Sequence, residues 1–114
     1  MAIRFLFHGT VKDGQEDAFR DLAERSTALV RDEPGHTEHE WLLSDDGRFV
    51  TADTFADDAA VANHMDRVRA AGLIDDYMSA VDMESFQVFG PVSQSLRETF
   101  SGMGPVYYTL VSRR

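Results

Sequence analysis

Two side chains that could move a proton lie on neighbouring predicted elements, His64 on a helix and Asp53 on the strand before it. His64 belongs to the apolar stripe of its helix, so burial should lower the pKa of its ring and leave a neutral base. Asp53 shares strand parity with Phe55, so Asp53 and His64 could face one cavity. The alternative is that His64 is a core histidine satisfied by hydrogen bonds.

Other side chains near this pair could bind a ligand. Tyr77 offers a hydroxyl group, and Trp41 offers a flat apolar wall with one donor, although such residues often serve in a core or an interface. His36 and His39 are three residues apart in a predicted strand, which places them on opposite faces. They are therefore expected to be a poor metal pair, and no metal site is predicted.

The composition excludes several classes of protein. The chain has 114 residues, a formal net charge of -9 at pH 7 and no cysteine. An acidic surface repels phosphate backbones and anionic headgroups, so neither nucleic acid nor a membrane is an expected partner. Without cysteine there is no disulfide and no thiolate nucleophile. Because the sequence shows no secretion signal and no apolar run of membrane-spanning length, we expect a soluble cytoplasmic protein.

Hydrophobic periodicity predicts one α+β domain. Strands are expected over residues 2–10, 36–44, 48–55 and 83–92, and helices over about 13–30, 57–72 and 74–81. This order is typical of a ferredoxin-like split βαβ fold, an antiparallel sheet with its helices on one face. Asp13 and Glu16 have the spacing of a capping box, which predicts that the first helix begins at Asp13.

The chain divides into a ferredoxin-like domain, residues 1–92, and an extension of the same domain, residues 93–114. The extension is predicted to form a helix over 94–100 and a strand over 106–111, which adds to a sheet edge of its own chain or of a partner. A ferredoxin-like sheet leaves one face open, and a second copy is expected to cover it. We therefore predict a homodimer, a dimeric α+β barrel.

Several segments resemble the antibiotic biosynthesis monooxygenase domain. The resemblance rests on the helix exit Glu33-Pro34-Gly35, on Asp53-Thr54-Phe55-Ala56-Asp57 leading into Ala60, and on His64. It covers about residues 3–90, and the tail that follows is similar to the extension of some members. It implies a dimeric α+β barrel with a pocket in each subunit between the helices and the sheet.

The resemblance also implies a reaction. Characterised relatives oxidise phenols or hydroquinones to quinones with dioxygen and use no metal, flavin or haem, so no cofactor is expected. In such a site His64 would take the phenolic proton, and Asp53 would hold the tautomer of His64. The side chains expected against the aromatic substrate are His39, Trp41, Phe55 and Tyr77. The chain departs from the family where Asp53 and Phe55 replace a glutamate and a tryptophan, and where His39 replaces a tyrosine.

Two other functions stay open. One is a non-enzymatic dimeric module that binds a small molecule without turnover, which the departures at Asp53 and Phe55 favour. The other is haem degradation, as in a sister branch that places an asparagine, a tryptophan and a histidine around the porphyrin. Phe7, His64 and Ile74 stand at about those three positions, so haem degradation ranks below the other two readings.

Overall fold

A computed structural model describes residues 2–114 as a five-stranded sheet with four α-helices. The strands are β1 (Ile3–Val11), β2 (His36–Leu43), β3 (Arg48–Phe55), β4 (Val81–Phe89) and β5 (Val106–Tyr108). The helices are α1 (Glu16–Val30), α2 (Asp58–Ala70), α3 (Leu73–Ala80) and α4 (Gln94–Phe100), and a 3-10 turn follows at Ser101–Met103. The strand order is β2-β3-β1-β4-β5, with β1 to β4 antiparallel and β5 parallel to β4. The predicted ferredoxin-like α+β fold is confirmed.

The core lies between the helices and one face of the sheet. Phe5 on β1 meets Phe86 and Phe100 edge to face, with ring centroids 5.6 and 5.2 Å apart. Aromatic pairs in this geometry stabilise a core beyond the area they bury. Phe7, two residues further along β1, stacks on Phe86 at 4.1 Å and contacts Tyr77 of α3 at 6.1 Å. The aromatic layer therefore continues from the core toward α3.

The two long helices begin differently. The predicted capping box at Asp13 is wrong, because α1 begins at Glu16 and its N-cap residue, Gln15, makes no side-chain cap. Asp13 lies in the turn between β1 and α1, where Gly14 takes a positive φ of 78°. Helix α2 begins close to the predicted residue 57 and is capped there, since the Asp57 carboxylate accepts a hydrogen bond from the Ala60 amide at 2.9 Å.

A β-bulge at the start of β2 changes which way its side chains point. The pairing with β3 shifts between His36 and Glu38, so Thr37 is an extra residue in the ladder. His36 and His39 consequently lie on the same face of the sheet, and the prediction of opposite faces is wrong. Gly35 permits the preceding turn, because its φ is 75° and an added Cβ would lie 2.8 Å from the Ala60 Cβ.

The C-terminal extension packs on the edge of its own sheet. Strand β5 pairs with β4, and the Tyr108 ring stacks on Phe89 at 5.1 Å. The strand ends at Tyr108 rather than at residue 111, because its partner strand β4 ends at Phe89, opposite Tyr108. Leu110 and Val111 beyond it are 50% and 96% exposed. Within residues 2–114, none of the helices has the length and hydrophobicity needed to cross a membrane.

Candidate functional site

A cavity of about 90 Å³ lies between the sheet and helices α1 to α3. Most of its wall is apolar and includes Phe5, Phe7, Leu22 and Val68. The polar residues of the wall are Ser26, Trp41, Thr51, Asp53, His64 and Tyr77. Such a site, apolar with a few converging polar groups, is typical of a small-molecule pocket.

Four of the six residues predicted for the site line this cavity, namely Trp41, Asp53, His64 and Tyr77. The other two lie behind its wall. Phe55 is fully buried and stacks on His36 with ring centroids 4.4 Å apart. His39 contacts Asp53, its Nδ1 lying 2.7 Å from Oδ1 of the carboxylate. His39 and Phe55 therefore support the polar groups of the cavity from outside.

The ring of His64 is oriented by Glu33, at the exit of α1. Nδ1 of His64 lies 2.8 Å from Oε1 of Glu33, and the Glu33 side chain is 1% exposed. A carboxylate only accepts, so Nδ1 of His64 carries the proton and Nε2 keeps its lone pair. Asp53 was the residue expected to hold this tautomer; the structure gives that contact to Glu33. The pair of Glu33 and His64 has the geometry of a histidine base held by a carboxylate.

Glu33 also begins a longer network. Its Oε1 lies 2.8 Å from Nδ1 of His36, and Nε2 of His36 lies 2.7 Å from Oδ1 of Asp53. The same Asp53 oxygen accepts from His39. Two carboxylates thus alternate with the three imidazole rings of His64, His36 and His39 along one chain of hydrogen bonds. Near its end, Nη1 of Arg67 lies 3.6 Å from Oε2 of Glu33, close enough for a charge interaction.

The network shifts the pKa values of its members in different directions. Burial opposes the charged form of His36, but hydrogen bonds to Asp53 and Glu33 outweigh burial and raise its pKa above 6.5. Burial also opposes the ionised form of Asp53, but hydrogen bonds from His36 and His39 lower its pKa below the ordinary value. For His64 burial dominates, and the pKa is lowered below 6.5 despite the pull of Asp53 and Glu33. At neutral pH the cavity therefore contains a neutral His64 beside an ionised Asp53.

Two aromatic residues form the opposite wall. The Tyr77 hydroxyl lies 3.0 Å from Oγ1 of Thr51, and the ring centroid of Tyr77 lies 5.1 Å from that of Trp41. Burial raises the pKa of Tyr77, so its hydroxyl stays protonated. One of the hydroxyl groups of Tyr77 and Thr51 donates to the other, and the second is left to donate a hydrogen bond to an oxygen atom of a bound molecule. Trp41 supplies a flat apolar surface beside them.

Two sets of three side chains in the network are of types that bind metals. Glu33, His36 and His64 offer donor atoms within 4.8 Å of one another, and so do His36, His39 and Asp53. Each of these ring nitrogens, however, lies 2.7 or 2.8 Å from a carboxylate oxygen. These are hydrogen-bond distances, and because an ionised carboxylate only accepts, a ring proton belongs between each nitrogen and its carboxylate oxygen. The geometry is that of a hydrogen-bonded network.

Sequence reasoning missed Glu33 and His36. Glu33 was assigned to the stop signal of α1, and its burial depends on the turn at Gly35 against α2. His36 was placed on the wrong face because a regular strand was assumed. One signal was available, since Glu33 and His36 are three residues apart at a helix exit, a spacing that lets two side chains meet in a turn.

Residues 3–72 match the sequence model of a family described as antibiotic biosynthesis monooxygenase. The chain belongs to the antibiotic biosynthesis monooxygenase family. Glu33, Asp53 and His64 all lie inside the matched segment, and the extension with α4 and β5 lies outside it. A comparison with curated protein sequences gives no significant match.

Solved structures of similar fold extend the comparison. MupZ from Pseudomonas fluorescens superposes with a TM-score of 0.84 at 15% identity, covering 99% of this chain and 93% of MupZ. Rv0793 from Mycobacterium tuberculosis gives a TM-score of 0.69 at 14% identity, covering 83% and 99% of the two chains. SnoaB from Streptomyces nogalater, a cofactor-independent oxygenase, gives 0.65 at 18% identity, covering 77% and 90%. At these sequence identities the comparisons show a shared fold. The superposition on MupZ also covers the C-terminal extension.

Proposed function

We propose that this family member is a cofactor-independent monooxygenase that oxidises a phenolic or hydroquinone-type aromatic molecule with dioxygen. The observation that carries the proposal is the position of His64, anchored to Glu33 through Nδ1, in the wall of a largely apolar cavity. A free Nε2 in such a place can take a phenolic proton. The family membership supports a monooxygenase-type activity in general.

The proposed reaction begins with transfer of the phenolic proton to Nε2 of His64. The electron-rich phenolate gives one electron to dioxygen, and the two radicals combine at a ring carbon. Loss of water from the resulting hydroperoxide leaves a quinone, so one oxygen atom enters the product and the other enters water. The substrate supplies all four electrons, and no external reductant is required. Trp41 orients the ring, and Tyr77 and Thr51 donate a hydrogen bond to the developing anion.

The size of the cavity bears on the size of the substrate. Its volume of about 90 Å³ is smaller than the roughly 150 Å³ that accepts benzene in an engineered core. A second pocket of about 360 Å³ lies outside it, and Met65, Ile74 and Met103 line both. Met103 is 37% exposed and belongs to the short 3-10 turn, so its flexible side chain can move. With Met103 displaced, the joined volume falls within the roughly 300–1,000 Å³ of ordinary ligand pockets.

The proposal is tested by oxygen consumption of chelator-treated protein with a panel of hydroquinones and polycyclic phenols. Wild type should consume oxygen, and His64→Ala should lose that activity by a factor of about 10² or more. His8→Ala is the matched control, because His8 alternates with Phe7 on β1 and faces away from the cavity. Equal rates in wild type and His64→Ala would refute the role of His64. Ligand binding without oxygen uptake would replace the proposal by the binding module.

We also propose that two copies associate through the sheet face that carries no helix. Leu42 of β2 is 50% exposed and Tyr108 of β5 is 45% exposed, so apolar side chains are exposed on both edge strands of this sheet. Burial of exposed apolar surface is the usual driving force for the association of protein subunits. Sedimentation equilibrium should give twice the monomer mass for wild type, and Leu42→Lys should weaken the dimer. A monomer at all concentrations would rule the dimer out.

A further inference from the structure

We propose that His36 is an imidazolium at neutral pH, held between Glu33 and Asp53, and that it acts as a positioning residue that helps to keep His64 a neutral base. The network geometry carries this inference, and only its effect on catalysis rests on the proposed function. His36 itself does not line the cavity and is not expected to touch the substrate.

The charge of His36 follows from its two partners. Nδ1 lies 2.8 Å from Oε1 of Glu33, and Nε2 lies 2.7 Å from Oδ1 of Asp53. An ionised carboxylate accepts hydrogen bonds and donates none, so both ring nitrogens must donate. Only the doubly protonated ring does this. Since the His36 side chain is 1% exposed, water cannot take the place of either partner.

The charge of an imidazolium at His36 is matched by the two carboxylates that its ring contacts, Glu33 and Asp53. Arg67 lies 3.6 Å from Glu33 but also donates to the exposed Asp32 at 3.2 Å, so its positive charge is shared. His64 donates through Nδ1 to Glu33 and needs only one proton to do so. The remaining titratable group across the cavity is Tyr77 on α3, which stays protonated. A neutral His36 would remove the cation that lies between two buried carboxylates, and burial penalises carboxylates left without such a partner.

The imidazolium also acts on His64. The two rings meet edge to face with centroids 4.9 Å apart, and both use the same Glu33 oxygen. A cation at this distance disfavours a second charge on His64, while Glu33 and Asp53 favour it. Without His36, burial alone would oppose the two carboxylates, and the pKa of His64 would rise. His36 therefore adds to the effect of burial in keeping the lone pair of His64 available.

Packing holds the His36 ring in place. It stacks on Phe55 at 4.4 Å with an interplanar angle of 29°, and its other neighbours are His39 and His64. The bulge at Thr37 directs the ring to this side of the sheet. Phe55, which was predicted to contact the substrate, thus provides an aromatic face for the cation.

Nitrogen NMR of the full-length, chelator-treated protein with ¹⁵N-labelled histidine tests the charge directly. At pH 7 both nitrogens of His36 should carry protons, and its titration midpoint should lie above 6.5. His64 should show the Nδ1–H tautomer, with its midpoint below 6.5. A singly protonated His36 at pH 7 would overturn the proposal. This measurement needs no turnover, so it is independent of whether the protein is an oxygenase.

The variant His36→Gln tests the effect on His64. This substitution keeps a hydrogen-bond donor but removes the charge, so the midpoint of His64 should rise by at least about one pH unit. In the oxygen assay, the acid limb of the kcat/KM profile should move to higher pH by the same amount. A purely structural role would lower the rate at every pH and leave the limb in place. If the His64 midpoint does not move in His36→Gln, His36 does not tune the base, whatever happens to the rate.

Discussion

Replacing Glu33 by glutamine should destabilise the fold far more than a typical surface substitution. The Glu33 carboxylate is buried and accepts hydrogen bonds from His36 and His64 at 2.8 Å. Hydrogen bonds to charged groups contribute about 1.5–3 kcal/mol each, and breaking a buried ion pair costs about 3–5 kcal/mol. Glutamine keeps one acceptor oxygen but leaves the His36 cation with a single counter-charge. We therefore expect Glu33→Gln to lower the free energy of unfolding by about 2–4 kcal/mol.

Urea denaturation at pH 7 measures this loss, and thermal melting checks it. For a chain of this size, about 4 °C of Tm corresponds to 1 kcal/mol, so Tm should fall by roughly 8–16 °C. Glu40→Gln is the matched control, because Glu40 lies exposed on β2 and its replacement should stay within about 0.5 kcal/mol. A double-mutant cycle with His64→Gln separates the contribution of the His64 contact. If Glu33→Gln is as stable as the control, the network does not stabilise the protein and the reasoning fails.

Three further substitutions have defined expected results. Because the pKa of Asp53 is lowered in the folded state, its contribution to stability is present near neutral pH and is lost as pH falls through the folded value. Thermal melts of Asp53→Asn should therefore show a weaker decline below about pH 4 than wild type. Met103→Ala should lower KM for two-ring phenols by about threefold or more and leave KM for single-ring phenols nearly unchanged, as measured by oxygen uptake; equal changes would argue against Met103 as the barrier. Tyr77→Phe removes the hydrogen bond to Thr51 and should cost about 0.5–1.5 kcal/mol in urea denaturation without moving the pH profile.

Much of the fold could be predicted because its signals are local. The apolar stripe around His64 and the cap at Asp57 depend on residues within a few positions of each other. The start of α1 was less predictable, since the spacing of Asp13 and Glu16 does not reveal that a turn at Gly14 delays the helix to Glu16. The end of β5 depends on where β4 stops pairing, which is information from a distant part of the chain.

The site was predictable only in part, for a physical reason. His64 and Asp53 came from regular helix and strand periodicity, and the structure brings both to one cavity. The position of the His36 side chain depends on a β-bulge. Neither the alternation of polar and apolar residues in the strand nor a sequence motif indicates that an extra residue is present. Glu33 depends on the packing of the turn at Gly35 against Ala60. Both are consequences of tertiary contacts, which one sequence does not display.

The β-bulge at Thr37 connects the spacing of His36 and His39 with the charges beside the cavity. Removal of Thr37 would leave His36 opposite Phe55 and His39 opposite Asp53 in an uninterrupted ladder, two residues apart and still on one face of the sheet. A strand of the present length without the bulge would instead turn His36 to the opposite face, away from Glu33 and Asp53. A family member with one residue fewer between the two histidines would thus form the same network only with a regular strand, and one with the present spacing only with a bulge. When relatives are compared, the spacing in this segment is as informative as the residues it contains.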